Sequence, residues 1–202
     1  THRQNPAAAH APHLPHEHPP LDAAGCTQPS NHAIYARHCD TTGLYSLYDT
    51  TDRNYLRGVG VSDAEGKVRF TTVYPGCYDG RWPHIHFEVF TSIEAAVGGE
   101  ASVLTAQIAM PESESAAVYA ADARYSNGTQ NLGRITIASD NVFSDNTDAQ
   151  ITQQTLVVTG SPASGYAGTL TIPVDFTAGR SATMSAPPAG MDGQPPSPPP
   201  SQ

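Results

Sequence analysis

A short stretch of strict alternation constrains the fold most strongly: residues 84–90 read His-Ile-His-Phe-Glu-Val-Phe. Successive side chains of a β-strand point to opposite faces, so we expect His84 and His86 on one face and the apolar side chains on the other. Because Cα atoms two residues apart in a strand are separated by about 7 Å, these imidazoles can share one metal ion. The pattern also fits a half-buried strand whose histidines bind nothing, and this alternative stays open here.

Turn signals stand directly before this strand. Residues 74–80 read Tyr-Pro-Gly-Cys-Tyr-Asp-Gly, and the pairs Pro-Gly and Asp-Gly are typical of turns. Tyr78 and Arg81 are therefore expected on a loop that can fold back over the two histidines. Tyr45 lies on another turn-rich loop, which follows the predicted first strand.

The composition favours an all-β domain. Short runs rich in Val, Thr, Ile and Tyr recur between clusters of Gly, Asn and Asp along the 202 residues. The predicted strands span residues 33–38, 56–61, 67–73, 84–90, 103–110, 135–138, 155–159 and 166–176, and a predicted short helix begins at Pro111 and runs to about residue 120.

The net charge of −9 argues against nucleic acid and against an anionic membrane surface as partners. No apolar run approaches the length that spans a bilayer. The ends of the chain differ from its middle. Residues 1–22 are rich in Pro, Ala and His and predict a disordered arm, whose histidines could alternatively bind divalent ions weakly. Residues 178–202 are rich in Pro, Gly and Ser and predict a tail or a linker to a further module. One β domain is expected between them, at residues 23–177.

Three cysteines leave two alternatives open. Cys26 and Cys39 could bridge neighbouring strand ends, as in secreted proteins, which would leave Cys77 over. Alternatively, all three are unpaired small hydrophobic residues. Their spacing does not resemble a zinc site.

A site of two imidazoles and two phenols suits ferric iron. The pKa of a phenol in water is about 10, so a phenol is a poor ligand for a weakly charged ion at neutral pH. A trivalent ion stabilises the phenolate by the same electrostatic effect with which any opposite charge lowers the pKa of an acid. Such a site suits binding a diol as its dianion and withdrawing electron density from it.

Four groups of residues together resemble the intradiol ring-cleavage dioxygenases, most closely the short, secreted, single-domain members, over about residues 25–176. They are Cys39-Asp40-Thr41-Thr42-Gly43-Leu44-Tyr45-Ser46, Tyr55-Leu56-Arg57-Gly58-Val59, the run of residues 63–78 that ends in Tyr74-Pro75-Gly76-Cys77-Tyr78, and Arg81-Trp82-Pro83-His84-Ile85-His86-Phe87. The resemblance implies an antiparallel β-sandwich with one short helix and long loops, secreted as a monomer or a homodimer.

The resemblance also implies roles for individual residues. Tyr45, Tyr78, His84 and His86 match the four ligands of Fe(III), and Tyr78 matches the tyrosinate that leaves the metal when substrate binds. Arg81 matches the arginine that supports the anionic substrate, and Gln107 a glutamine beside it. The implied reaction cleaves a catechol-type ring between its two hydroxylated carbons with O2, to give a cis,cis-muconate-type product.

The chain departs from the family pattern before Cys39. The family places a bulky aromatic residue where Arg37 stands, and an additional strand where the His- and Pro-rich arm stands, so we expect the first sheet to be either incomplete or differently covered. Cys77 beside Tyr78 is also unusual, because a thiol there could be oxidised or bind iron itself.

Two other classes of protein remain. A cupin-type barrel also uses a His-x-His pair, but it needs a further histidine downstream, and His86 is the last in this chain. A non-enzymatic secreted β-sandwich that binds carbohydrate or a surface fits the low charge and the Pro-rich tail. That class predicts neither iron nor colour.

Overall fold

A computed structural model of the chain describes residues 21–22 and 30–176. The predicted tail, and the predicted arm apart from Leu21 and Asp22, lie outside these residues, as does Cys26. The strands are β1 (Leu21–Asp22), β2 (Ala33–Arg37), β3 (Arg57–Val61), β4 (His84–Phe90), β5 (Leu104–Ala109), β6 (Val157–Ser161), β7 (Gly165–Thr169) and β8 (Pro173–Val174). The helices are α1 (Ile93–Val97), α2 (Glu112–Ala121), α3 (Gly128–Leu132), α4 (Asp148–Gln154) and a 3-10 helix at Ile137–Ser139.

The central sheet has four antiparallel strands in the order β3-β2-β4-β5. In its register, His86 of β4 stands between Arg37 of β2 and Gln107 of β5. The antiparallel β fold predicted from the sequence is confirmed. Strand β2 forms although Arg37 interrupts its apolar pattern, and the Arg37 guanidinium lies 3.4 Å from the carboxylate of Glu88 on β4.

The apolar face of β4 forms the centre of the core. Ile85, Phe87 and Val89 are almost fully buried, as the alternation predicts. They pack in one cluster with Leu156, which immediately precedes β6, and Tyr166 of β7. The β6–β7 hairpin is antiparallel, and β1 pairs with β8 in parallel.

A cavity of about 400 Å³ lies against the same apolar face, lined by the side chains of β4 and by Val68 and Phe70 among others. It is on the opposite face of the sheet from His84 and His86. Gly58 of β3 also lines it, and a Cβ added at Gly58 would meet no atom within 4 Å.

Two predicted strands are wrong, and the single strand predicted at residues 166–176 is two strands, β7 and β8. Residues 67–73 form no strand, although Val68 and Phe70 pack against the core as the alternation suggests. Residues 135–138 run into the 3-10 helix instead, because Thr136 and Ser139 bond to each other's backbone in a capping box.

The helix predicted from Pro111 is confirmed as α2. Three more α-helices occur in the described residues, and α4 had a visible signal, since Thr147 and Gln150 form a capping box. Among the described residues, no helix is long and apolar enough to span a membrane.

Candidate metal centre

Strand β4 brings His84 and His86 together on its polar face. Their Nε2 atoms are 3.1 Å apart. The Nδ1 of His84 lies 2.5 Å from the carbonyl oxygen of Trp82, so it is the nitrogen that carries the proton. The lone pair of Nε2 is therefore free to face the site.

The loop before Tyr45 is shaped by Asp40. Its carboxylate accepts hydrogen bonds from the backbone nitrogens of Thr42 and Leu44, at 2.8 and 3.1 Å. Asp49 in turn accepts one from the backbone nitrogen of Tyr45 at 2.7 Å. These local hydrogen bonds hold the loop in a shape that directs the Tyr45 side chain to the histidines. The Tyr45 hydroxyl lies 3.4 Å from Nε2 of His84.

The loop that carries Tyr78 packs directly on the loop that carries Tyr45. The backbone nitrogen of Gly76 donates to the carbonyl oxygen of Asp40 at 3.1 Å, and a Cβ on Gly76 would lie only 2.4 Å from that oxygen. Gly43 has φ +92° and stands against Tyr78, a conformation that glycine adopts without strain. The glycines of both motifs are thus needed for close backbone contact, which brings the Tyr78 hydroxyl to 3.4 Å from Nε2 of His84.

Four donor atoms therefore converge: the Nε2 atoms of His84 and His86 and the hydroxyl oxygens of Tyr45 and Tyr78. The last three each lie 3.1–3.4 Å from Nε2 of His84. Two ligand atoms bound to one metal ion at about 2.0–2.1 Å with tetrahedral angles lie about 3.3 Å apart. The donor spacing fits a shared metal ion. Among the described residues, no group of three or more His, Cys, Asp or Glu could hold a metal ion. The donors that converge here are two imidazoles and two phenols.

The electrostatics also fit a highly charged cation. Burial lowers the pKa of His84 to about 3 and that of His86 well below its ordinary value, so both imidazoles are neutral at pH 7 and can donate a lone pair. Burial raises the pKa of Tyr78 to about 12 and that of Tyr45 well above 10. Without a cation both phenols are protonated, so an ion that binds there must be charged strongly enough to displace their protons.

Arg81 lies beside this site and is almost completely buried. Its Nη1 is 3.3 Å from the Tyr78 hydroxyl, and its Nη2 donates to Oε1 of Gln107 at 2.7 Å. The structure thus brings all six residues singled out from the sequence to one place. Their assignment as ligands and catalytic residues stays a prediction.

Asp140 also belongs to this site and was not found from the sequence. Its buried carboxylate accepts a hydrogen bond from Nε of Arg81 at 2.9 Å. It follows Arg81 by 59 residues, in a segment whose polar composition predicts only a loop. No local pattern of residues marks it.

Cys39 and Cys77 are both buried, free thiols. Cys26 lies outside the described residues, so the choice between a Cys26–Cys39 bridge and unpaired thiols stays a prediction. Burial raises the pKa of Cys77 to about 12, and its sulfur donates to the carbonyl oxygen of Arg81 at 3.5 Å. At neutral pH Cys77 is therefore a protonated thiol, which is a poor metal ligand.

Comparison with solved structures identifies the fold. An intradiol ring-cleavage dioxygenase from Tetranychus urticae is 23% identical, with a TM-score of 0.66 over 82% of this chain and 81% of that one. The dioxygenase domain of a dioxygenase–carbohydrate-binding protein fusion from Streptomyces sp. SirexAA-E is 20% identical, with a TM-score of 0.54 over 82% and 80%. 3-Chlorocatechol 1,2-dioxygenase from Rhodococcus opacus 1CP is 15% identical, with a TM-score of 0.57 over 85% and 62%.

The chain has the fold of these dioxygenases, as the resemblance of its motifs predicted. A scan against protein-family models and a search of curated proteins by sequence both gave no match.

Proposed function

We propose that this protein is a non-haem Fe(III) dioxygenase that cleaves catechol-type rings between their two hydroxylated carbons, with O2 as the second substrate. The products are of the cis,cis-muconate type. One observation carries the proposal: on a fold shared with intradiol dioxygenases, two phenol oxygens and one imidazole nitrogen surround Nε2 of His84 at 3.1–3.4 Å.

Tyr45, Tyr78, His84 and His86 would hold the iron. Ferric iron, when bound, would supply the Lewis acidity that favours the catechol dianion and draws electron density from its ring. The contribution of the chain is to position the substrate and to hold charge and protons at defined atoms.

Tyr78 is suited to accept a proton from the substrate. Its hydroxyl has a pKa of about 12 when no cation is near, because burial disfavours the phenolate. A Tyr78 side chain displaced by the substrate therefore takes up a proton readily. In this proposal one hydroxyl proton of the catechol passes to the Tyr78 oxygen and the other to a hydroxide ion at the site, which leaves as water, so that the substrate binds as the dianion.

Arg81 is suited to hold that anion. Its Nη1 lies 3.3 Å from the Tyr78 hydroxyl, so the guanidinium charge is close to the position that Tyr78 vacates. Gln107 accepts a hydrogen bond from Nη2 at 2.7 Å, which fixes the plane of the guanidinium. Fixed positive charge in a buried site stabilises developing negative charge on the ring oxygens more strongly than water does.

The test is direct. The chain is produced with iron in the medium, and iron per chain, visible absorption and oxygen uptake are measured with catechol, 4-methylcatechol and 3,4-dihydroxybenzoate. We expect about one iron per chain, a visible tyrosinate-to-iron absorption band and one O2 consumed per ring opened. Iron far below one per chain, with no visible band, would refute the proposal and leave the secreted binding module as the better description.

We also propose that the protein is secreted, as a monomer or a homodimer, and that residues 178–202 connect the domain to a further module. The fusion of a dioxygenase with a carbohydrate-binding protein in Streptomyces supports the last idea by analogy only. Detection of the protein in culture medium, light scattering and the sequence of the full-length gene test these three points.

A further inference from the structure

The carboxylate of Asp140, in the segment after the 3-10 helix, is buried and accepts hydrogen bonds from several groups. The residue is 0% exposed. Its oxygens accept hydrogen bonds from Nε and Nη2 of Arg81 at 2.9 and 3.4 Å and from the backbone nitrogen of Trp82 at 2.7 Å. They also accept bonds from the backbone nitrogens of Val142 and Phe143 at 2.8 and 3.1 Å.

We propose that Asp140 is a positioning residue for the proposed reaction. It holds the Arg81 guanidinium beside Tyr78 and holds the backbone of Trp82, whose carbonyl oxygen orients His84. The inference deepens the proposed function and rests on it. Asp140 would not touch the metal or the substrate and would act through its two neighbours.

The first path runs through Arg81. Asp140 occupies the Nε side of the guanidinium, and Nη2 is shared with Gln107 at 2.7 Å. Only Nη1 is left to face Tyr78. A planar guanidinium whose Nε and Nη2 are both hydrogen-bonded has a single orientation. The Asp140 carboxylate therefore fixes the position of the positive charge.

The second path runs through Trp82. Its backbone nitrogen donates to Asp140, and its carbonyl oxygen pairs with Nδ1 of His84. Two hydrogen bonds and the backbone of one residue, Trp82, therefore connect the carboxylate to an imidazole of the site. Partners of this kind fix the tautomer and the ring orientation of a histidine ligand.

The segment that carries Asp140 is itself anchored. Thr136 caps the 3-10 helix that ends before Asp140. The Phe143 side chain is fully buried, with its ring centroid 6.4 Å from that of His84. The carboxylate thus sits in a segment fixed on both sides, which is what a positioning role requires.

The test compares Asp140→Asn with Asp145→Asn, an exposed aspartate of the same segment. An asparagine keeps an oxygen for the Trp82 nitrogen but removes the charge that holds Arg81. In the iron-loaded protein we expect kcat to fall about 10- to 100-fold, the visible band to shift and KM to change less than kcat. Asp145→Asn should match the parent in all three. A folded, iron-loaded Asp140→Asn protein with parental kcat and band position would overturn the proposal.

A double-mutant cycle separates positioning from general loss of structure. If Asp140 acts on activity through Arg81, the variant Arg81→Gln/Asp140→Asn should have the same kcat as Arg81→Gln, within about two-fold. A further ten-fold loss in the double variant, with its visible band at the position of the Arg81→Gln band, would overturn the proposal, because neither Arg81 nor His84 would then account for the loss. This comparison also applies if Asp140→Asn alone does not fold, because the double variant removes the buried charge together with its partner.

Failure of the proposed function is distinguishable from failure of this inference. A parent protein without iron or colour refutes the function alone. Trp82 is the only tryptophan, so its fluorescence in the metal-free chain still reports the second path. We expect the emission to change in Asp140→Ala, which removes the acceptor of the Trp82 nitrogen, and not in Asp145→Ala. Unchanged emission in both alanine variants would refute the contact.

Discussion

The Nε2 atoms of His84 and His86 lie 3.1 Å apart on one face of β4, with the Tyr45 and Tyr78 hydroxyls 3.4 Å from the first of them. We expect His86→Gln to lower iron affinity by more than the 10- to 100-fold that is typical, as a rough guide, when a supporting hydrogen bond to a ligand is lost. Equilibrium dialysis against an iron chelator measures this. His32→Gln is the control, because His32 pairs with Ser30 and packs on Phe176 away from the site. Equal iron affinity in both variants would argue against the ligand assignment.

The phenols should give the protein its colour. We expect Tyr78→Phe to bleach or shift the visible band of the iron-loaded protein, because one of two tyrosinate donors is removed. Tyr48→Phe is the matched control: Tyr48 is exposed, and its ring keeps its contact with Arg57 when the hydroxyl is removed. An unchanged spectrum in Tyr78→Phe would exclude Tyr78 from the metal.

Contact between the two tyrosine loops should depend on Gly76. An alanine Cβ there would lie 2.4 Å from the carbonyl oxygen of Asp40, and backbone cannot move away as a flexible side chain can. We expect Gly76→Ala to lower the free energy of unfolding by about 1–3 kcal/mol and to weaken iron binding, since the phenols separate. Thermal unfolding and iron per chain measure the two effects. Full iron binding by Gly76→Ala would contradict the proposed role of this contact.

Two glycines of β3 should respond in opposite ways. A Cβ at Gly58 meets open space beside the cavity, whereas a Cβ at Gly60 would lie 2.4 Å from Cγ2 of Val68. We expect Gly58→Ala to raise the free energy of unfolding by about 0.5–1 kcal/mol, because glycine weakens a strand interior. Gly60→Ala should lower it by about 1–3 kcal/mol through overpacking. Urea denaturation measures both, and the opposite order would disprove the cavity.

Acid should remove the contribution of Asp140 to stability. Burial raises the pKa of its carboxyl, but the hydrogen bonds from Arg81 and from the Trp82 and Val142 nitrogens outweigh burial, and the net pKa is lowered. Stability from a carboxyl of this kind is present above the unfolded value of 3.8 and is lost as the pH falls through the lower folded value.

We therefore expect the free energy of unfolding of Asp140→Asn to be about 1–3 kcal/mol lower than that of the parent at pH 7. The gap should close as the pH falls below 3.8. Urea denaturation between pH 7 and pH 3 measures the difference, with Asp145→Asn as the control. A gap that is constant with pH would show that the charge of Asp140 does not stabilise the folded chain.

Local patterns predicted the parts of this protein whose determinants are local. The alternation of residues 84–90 fixed the faces of β4, and Pro75 with Gly76 marked the turn before Tyr78. The motifs also identified Arg81 and Gln107, which contact each other in the structure.

The parts that could not be predicted depend on distant partners. Residues 67–73 have the alternation of a strand, but hydrogen bonding into a sheet requires a neighbouring edge, which their own sequence does not specify. Asp140 is part of the site only through its hydrogen bonds with Arg81 and Trp82, which lie 59 and 58 residues earlier in the chain. Nothing near it in the chain distinguishes it from the exposed Asp145.

A one-residue slip of β4 would turn both imidazoles towards the core and its apolar side chains to the opposite face. A misregistered chain therefore loses its ligand pair and its core in the same event. If the proposed function holds, the visible colour of the purified protein therefore also reports that the chain has its native fold. Renaturation from denaturant could then be followed by eye.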